Sequence, residues 1–224
     1  MFPGMLGHSL AGKALEKGVW HYSAINIRDY AHDKHKTVDY TPYGGGAGMV
    51  MRADVIGEAL EKNLEKGTKL IYMSPRGKVV TQSYIYELAN IEKLAILCGR
   101  FEGVDERVLQ EYGAEEVSIG DYILSGGEVA AMVLMDSCIR LIPGVVGNLV
   151  THAEESFGQS TDYAGLLEYP LYTRPEEWKG RKVPEVLLSG HHGNVDKWRL
   201  EQAKEITRLK RPDLWEKYNK EPGT

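Results

Sequence analysis

Apolar runs bounded by glycine, proline and charge divide this chain into short strands and amphipathic helices that alternate along its first 147 residues. Leu10, Ala14 and Leu15 put one apolar face on a helix over residues 9–17, with Gly18 as its stop. Residues 20–27 alternate as a strand does, and a polar loop follows over residues 28–39. Val55, Ile56, Ala59, Leu60 and Leu64 predict a helix over residues 52–66 with one buried stripe. Next come a buried strand at 69–73, a helix at 81–90 and a second strand at 94–97. Residues 129–142 are almost continuously apolar and end at Pro143-Gly144, the pattern of a buried helix. Strand alternating with helix predicts an α/β fold around a mostly parallel sheet.

The polar stretches between these elements are unusually rich in glycine. SIGDYILSGGE at 118–128 feeds straight into the apolar helix, and its glycines allow a sharp bend or a close approach of backbone to a ligand. The strand at 94–97 stops at CGRFEGVDER, and the strand at 69–73 stops at Ser74-Pro75-Arg76-Gly77. Three strand ends of this kind are expected to face one pocket at an edge of the sheet, where α/β proteins usually bind ligands. PYGGGAG at 42–48 has too many glycines for a strand or helix. It does not satisfy G-x-G-x-x-G, and no G-x-x-x-x-G-K-[ST] occurs to hold a triphosphate.

After Gly147 the pattern changes. Residues 148–165 are polar, rich in Ser, Thr and Gly and without apolar period, which reads as a flexible interdomain linker. Apolar residues return from 166 onward, Pro175 is placed to open a helix through Trp178, and a long helix is expected over residues 195–209 before Pro212. The division is thus 1–147, a linker at 148–165, and a small helical domain at 166–224. A formal charge of −5 argues against wholesale nucleic-acid binding, yet Arg and Lys concentrate in the last fifty-odd residues, interleaved with acids. Cys98 and Cys138 lie in apolar surroundings without metal-ligand spacing, so they read as buried free thiols of a cytoplasmic protein. His32, Asp33, His35 and Asp39 share one loop, but no third cluster completes a metal site, and none is assigned. No apolar run approaches the roughly 20 residues of a membrane span.

PYGGGAGMVM at 42–51, CGRFEGVDERV at 98–108 and SIGDYILSGGE at 118–128 together closely resemble the bacterial tRNA (guanine-N1)-methyltransferase family TrmD, of the SPOUT type. The resemblance extends over essentially the whole chain, through TRPEEW and LLSGHH. It implies that the C-terminal part of the sheet is threaded into a trefoil knot whose loops grip S-adenosylmethionine. Tyr72, Ser74, Pro75, Gly99, Glu102, Ile119, Gly120, Tyr122, Leu124, Gly126 and Gly127 then fall where relatives wrap this methyl donor. Gly45, Gly48, Arg100 and Asp105 fall near the substrate, which the resemblance makes a tRNA. It implies a homodimer with each pocket at the subunit interface, and a tRNA-binding role for the helical domain. Relatives also carry an apolar strand just before Phe2-Pro3-Gly4; here either the start is shortened or the sheet has one strand fewer.

Methylation at guanine N1 needs a base to take the N1 proton and a donor to stabilise charge growing on O6. The family's arginine matches Arg140, and its catalytic aspartate is replaced by Glu155, with Glu154 as the rival base. The expected activity is methyl transfer to N1 of guanosine-37, 3′ of the anticodon. The alternatives are a tRNA-binding protein of the same fold without catalysis, and a knotted methyltransferase acting on another RNA.

Overall fold

The computed structural model describes residues 1–146, 155–158 and 162–220. The chain divides into two compact units, residues 1–147 and 148–224, and most of the expected linker at 148–165 lies outside the described residues.

The first unit is built on three parallel strands, β3 (Lys69–Val79), β4 (Leu94–Cys98) and β5 (Glu115–Ser118), in the order β4-β3-β5. Leu70, Ile71, Tyr72 and Met73 are all buried, because β3 is covered on both faces. Leu70 and Tyr72 pack against α2 (Ala53–Asn63) and α4 (Glu106–Glu111), through Ile56, Val108 and Leu109. Ile71 and Met73 point the other way, into α3 (Gln82–Ala89) and α5 (Gly127–Ile139), where Tyr84, Ile85, Leu88, Ala131 and Leu134 complete the core. Full burial of one such aliphatic side chain contributes about 1.5–3 kcal/mol. The strand expected to end at Met73 continues to Val79, since Lys78 and Val79 rejoin β5 beyond an irregularity at residues 74–77.

The N-terminal segment lies against α5. In α1 (Ser9–Glu16) the buried positions are Ala11, Gly12 and Ala14, whereas Leu10 is 52% exposed, so the apolar face is rotated from the one expected. The reason is close packing: a Cβ on Gly12 would lie 2.4 Å from the Gly7 carbonyl, so the helix presents its smallest residues. Residues 21–26 form no strand. Trp20 turns inward, donates Nε1–H to the Ala11 carbonyl at 2.8 Å and packs with Met132 and Ile139, while Tyr22 and Ile25 stay exposed. Alternation alone had no neighbouring strand to pair with. Asp33 closes the following loop by accepting from the backbone of His35 and Thr37, and His32 pairs with Glu58 at 2.6 Å. Two short strands, β1 (Asp39–Tyr40) and β2 (Val50–Met51), pair antiparallel and hold the glycine loop between them.

The second unit has a small core of Leu166, Tyr169 and Ala203, with Leu200, Trp215 and Tyr218 packed around it. The segment at Pro175 is not a helix. Glu177–Trp178 is a strand, β6, paired antiparallel with β7 (Arg181–Lys182) across a turn whose Lys179 and Gly180 both have positive φ, the geometry of a tight two-residue hairpin. After α6 (Glu185–Leu188), the long helix α7 (His192–Lys210) stops before Pro212, which at once opens α8 (Pro212–Lys220).

One buried polar side chain ties this unit together. Thr207 is fully buried; its Oγ1 donates to the Ala203 carbonyl at 2.7 Å and accepts the Leu167 amide at 2.9 Å. Thr207→Val keeps the shape but strands the Leu167 N–H, so denaturant unfolding followed by tryptophan fluorescence is expected to show a loss of about 1–3 kcal/mol. Three of the four tryptophans, 178, 198 and 215, lie in this unit and report on it.

Both cysteines are free. Burial pushes the Cys98 thiol up to about 12, with Glu128 adding to the effect and Arg100 opposing it, and burial alone pushes Cys138 up to about 11. Folded-state values above the unfolded ones mean that this contribution to stability is intact below about pH 8.5 and is lost as pH rises toward 11 and 12. Iodoacetamide at pH 8 is therefore expected to modify both thiols slowly in the native protein and rapidly in urea. Equal rates in the two states would show that the thiols are not held in the core.

Candidate active site

Because β3 lies between β4 and β5, the connection from β3 leaves toward one edge of the sheet and the connection from β4 returns to the other. Outside the C-terminal strand ends, where these paths part, a cleft of about 360 Å³ opens.

Its first wall is the irregularity in β3. Met73 and Lys78 both align with Val117, so residues 74–77 leave the ladder as a bulge, which is what permits a proline inside a central strand. Tyr72, Ser74, Pro75 and Arg76 line the cleft from here. Ser74 is buried and its Oγ accepts the Arg76 amide at 3.2 Å. Arg76 reaches across to Glu106 at 2.9 Å and Glu116 at 3.1 Å, fastening the bulge to α4 and β5. Burial raises the Tyr72 phenol above its ordinary range.

The second wall is the turn after β4, with Gly99, Arg100 and Glu102 lining the cleft. A Cβ on Gly99 would come within 2.8 Å of the Tyr72 hydroxyl, so the turn rests directly on that side chain. Phe101 at the rim holds φ +58°, a left-handed conformation that a bulky residue seldom adopts.

The third wall is the loop at residues 119–126, which supplies Ile119, Gly120, Tyr122 and Leu124, with Gly126 and Gly127 at its end. Ser118 anchors its start, its buried Oγ accepting the Gly120 amide at 3.1 Å. The loop then crosses the top of β3 to the opposite edge of the sheet, where Gly126 bridges Arg100 and the Gly127 amide donates to the Gly99 carbonyl at 2.8 Å. Gly126 has extended backbone, so it is needed for space rather than for φ. A Cβ there would lie 2.6 Å from Glu128 Oε2 and 2.7 Å from Arg100 Nε, inside the Arg100–Glu128 ion pair, whose atoms are 2.8 Å apart. Every position expected to hold the cofactor thus lines this one cleft.

The remaining expected positions are spread more widely. Gly48, with φ +86°, lies against the second wall: a Cβ would overlap Glu102 at 2.4 Å, and the Glu102 amide donates to the Met49 carbonyl at 2.9 Å. Gly45 lies at the open end of its loop, with nothing within 4 Å of a Cβ. Asp105 does not line the cleft. It caps α4, accepting the Arg107 amide at 3.0 Å and pairing with the Arg107 guanidinium at 2.7 Å, which holds its carboxyl below the usual range. Arg140 is the half-buried C-terminal cap of α5, also outside the cleft lining. Glu155 belongs to the second unit and opens a turn closed by the Gly158 amide at 2.8 Å; Glu154 lies outside the described residues. Arg76, Phe101, Ser118 and Ile123 line the cleft without having been singled out. Only their adjacency to the glycine motifs pointed to them. Among the described residues, no group of three or more His, Cys, Asp or Glu side chains gathers where a metal ion would sit, and no helix is long and apolar enough to cross a membrane.

Residues 1–217 match the tRNA (Guanine-1)-methyltransferase TrmD family. Similar proteins include the tRNA (guanine-N(1)-)-methyltransferase of Rhodospirillum rubrum, 56% identical over 97% of this chain and 89% of that protein. Those of Brucella ovis and Brucella suis are each 57% identical over 98% of this chain, covering 89% and 88% of their own lengths. With a match of this extent, the chain belongs to the tRNA (Guanine-1)-methyltransferase TrmD family.

Proposed function

We propose that this protein transfers the methyl group of S-adenosylmethionine to N1 of guanosine-37, the nucleoside 3′ of the anticodon in tRNA, in the cytoplasm. The observation that carries the reading is the convergence of three strand ends on one glycine-walled cleft. The residues present fit such a donor: Gly99, Gly103, Gly120, Gly126 and Gly127 line the cleft, and added side chains at Gly48, Gly99 and Gly126 would meet neighbouring groups at 2.4–2.8 Å. When bound, S-adenosylmethionine supplies an electrophilic methyl group. The bulge at Ser74 and Pro75, the turn at Gly99 and the loop at 119–126 hold the donor and keep water from it, and Arg100, Gly45 and Gly48 border the substrate. Asp105, through its cap on α4, maintains the geometry of the motif it shares with Glu102.

Glu155 takes the N1 proton as the methyl group arrives, and Arg140 stabilises the charge that develops on O6. A trefoil knot in the C-terminal part of the sheet is supported by the path of residues 119–126 from β5 over the end of β3 to Gly99 and Arg100. The proposal includes a homodimer with each pocket at the subunit interface, where Ile123, 80% exposed on the cleft wall, offers an apolar side chain for a second copy to cover. The second unit engages the tRNA.

Two outcomes test this reading. Gly126→Val is expected to abolish S-adenosylmethionine binding in calorimetry, because its side chain would drive Arg100 and Glu128 apart at the mouth of the cleft. Tight binding by that variant would remove the loop from the donor site. Glu155→Gln is expected to slow single-turnover methyl transfer to tRNA by roughly 10²-fold or more, with donor and tRNA affinity little changed, while Glu155→Asp retains substantial activity. Near-normal transfer by Glu155→Gln with collapse in Glu154→Gln would shift the base by one residue, and loss in neither would sink the mechanism.

A further inference from the structure

The second unit ends one of its loops in a feature that its own packing does not need. Residues 171–182 are exposed throughout, and Trp178 at 57% exposure belongs to none of the hydrophobic clusters. In the β6–β7 hairpin Trp178 is aligned with Arg181, and Glu177 with Lys182. Aligned residues of an antiparallel pair share a face. One face therefore carries Trp178 and Arg181, and the Lys179 ammonium turns back over the indole, 4.8 Å from its ring centroid. The opposite face carries Glu177 and Lys182, which neutralise each other at 4.0 Å. Among the described residues no carboxylate pairs with Lys179 or Arg181. Between Arg174 and Lys182 four basic residues face two acids, in a chain whose formal charge is −5.

An exposed aromatic ring flanked by unneutralised cations, backed by a charge-balanced face, is suited to a partner that offers flat rings and negative charge together. We propose that the Trp178 face of this hairpin contacts RNA, the indole stacking on an unpaired base and Lys179 and Arg181 holding the adjoining phosphates. The proposal deepens the tRNA-modifying reading above and rests on it. Polyanionic RNA supplies the charge that answers Lys179 and Arg181 along its whole length, and unpaired bases supply the flat rings that answer Trp178.

The test uses the full chain and bulk tRNA, with binding measured at several salt concentrations. Trp178→Ala is expected to weaken binding about fivefold or more, as for removal of one base stack. Lys179→Ala with Arg181→Ala is expected to flatten the dependence of log affinity on log salt by roughly 0.7–0.9 for each phosphate left without its cation. Lys182→Ala, on the opposite face, is expected to bind as wild type, and S-adenosylmethionine affinity should not change in any variant. Wild-type tRNA binding by Trp178→Ala and by the double variant would overturn the proposal. So would an equal weakening from Lys182→Ala, or sedimentation showing that Trp178→Ala dissociates a dimer while tRNA binding persists, which would make a second copy the occupant. If the wild-type protein does not methylate tRNA, the underlying reading fails; if it does and the hairpin variants behave as wild type, only the hairpin assignment fails.

Discussion

The constraint on which the rest depends is the position of β3, paired in parallel on both edges and buried on both faces. Its amides and carbonyls over Leu70–Met73 are committed to the ladders with β4 and β5, and its side chains to two cores. Only beyond Met73 is the strand released. There residues 74–77 leave the ladder as a bulge, with the Ser74 hydroxyl accepting the Arg76 amide, while Lys78 and Val79 rejoin β5 and hold the bulge from its far side. A rigid strand on either side of a short irregular segment fixes that segment more firmly than a surface loop of the same length would be fixed.

The same economy of freedom applies to the loop at 119–126. It starts from a hydroxyl bond at Ser118 and ends on the Gly99 carbonyl, so its two ends are tied to strands at opposite edges of the sheet. The contact is made backbone to backbone, and Gly126 and Gly127 are required because side chains would separate the two turns: a Cβ on Gly127 would lie 3.0 Å from the Cys98 Cα. Charges at the rim are internally paired, Arg100 with Glu128 and Arg76 with Glu106 and Glu116. These partly exposed pairs contribute little to stability individually, but they aim the guanidinium groups and hold the walls at a set separation.

The second unit is stabilised differently. Its core is small, and Thr207 substitutes a pair of buried hydrogen bonds for apolar contact where residues 166–169 meet α7. Cations lie over its aromatic rings: Arg199 stacks on the buried Tyr169 at 4.9 Å, and Lys204 lies over Tyr218 at 5.9 Å.

Much of this was legible in residue order. The strands at 69–73 and 94–97, the helices at 81–90 and 129–142 and the glycine-rich strand ends follow from apolar periodicity interrupted by residues that only turns tolerate, a local rule that needs no knowledge of neighbours. The misreadings share one cause. Residues 20–27 alternate but have no strand beside them, Leu10 yields its place to smaller residues that let α1 approach Gly7, and Pro175 leads into a hairpin because Lys179 and Gly180 adopt a turn that pairs Glu177–Trp178 with Arg181–Lys182. Each depends on which surface lies opposite, and pairing partners distant in the chain are not encoded in local pattern. By itself, then, the sequence determined which segments bend and which are buried, and its motifs pointed to a family. The tertiary structure decided that β3 lies between β4 and β5, and hence that loops separated by dozens of residues close one cleft, because only the order of strands in a sheet sets which of their ends meet.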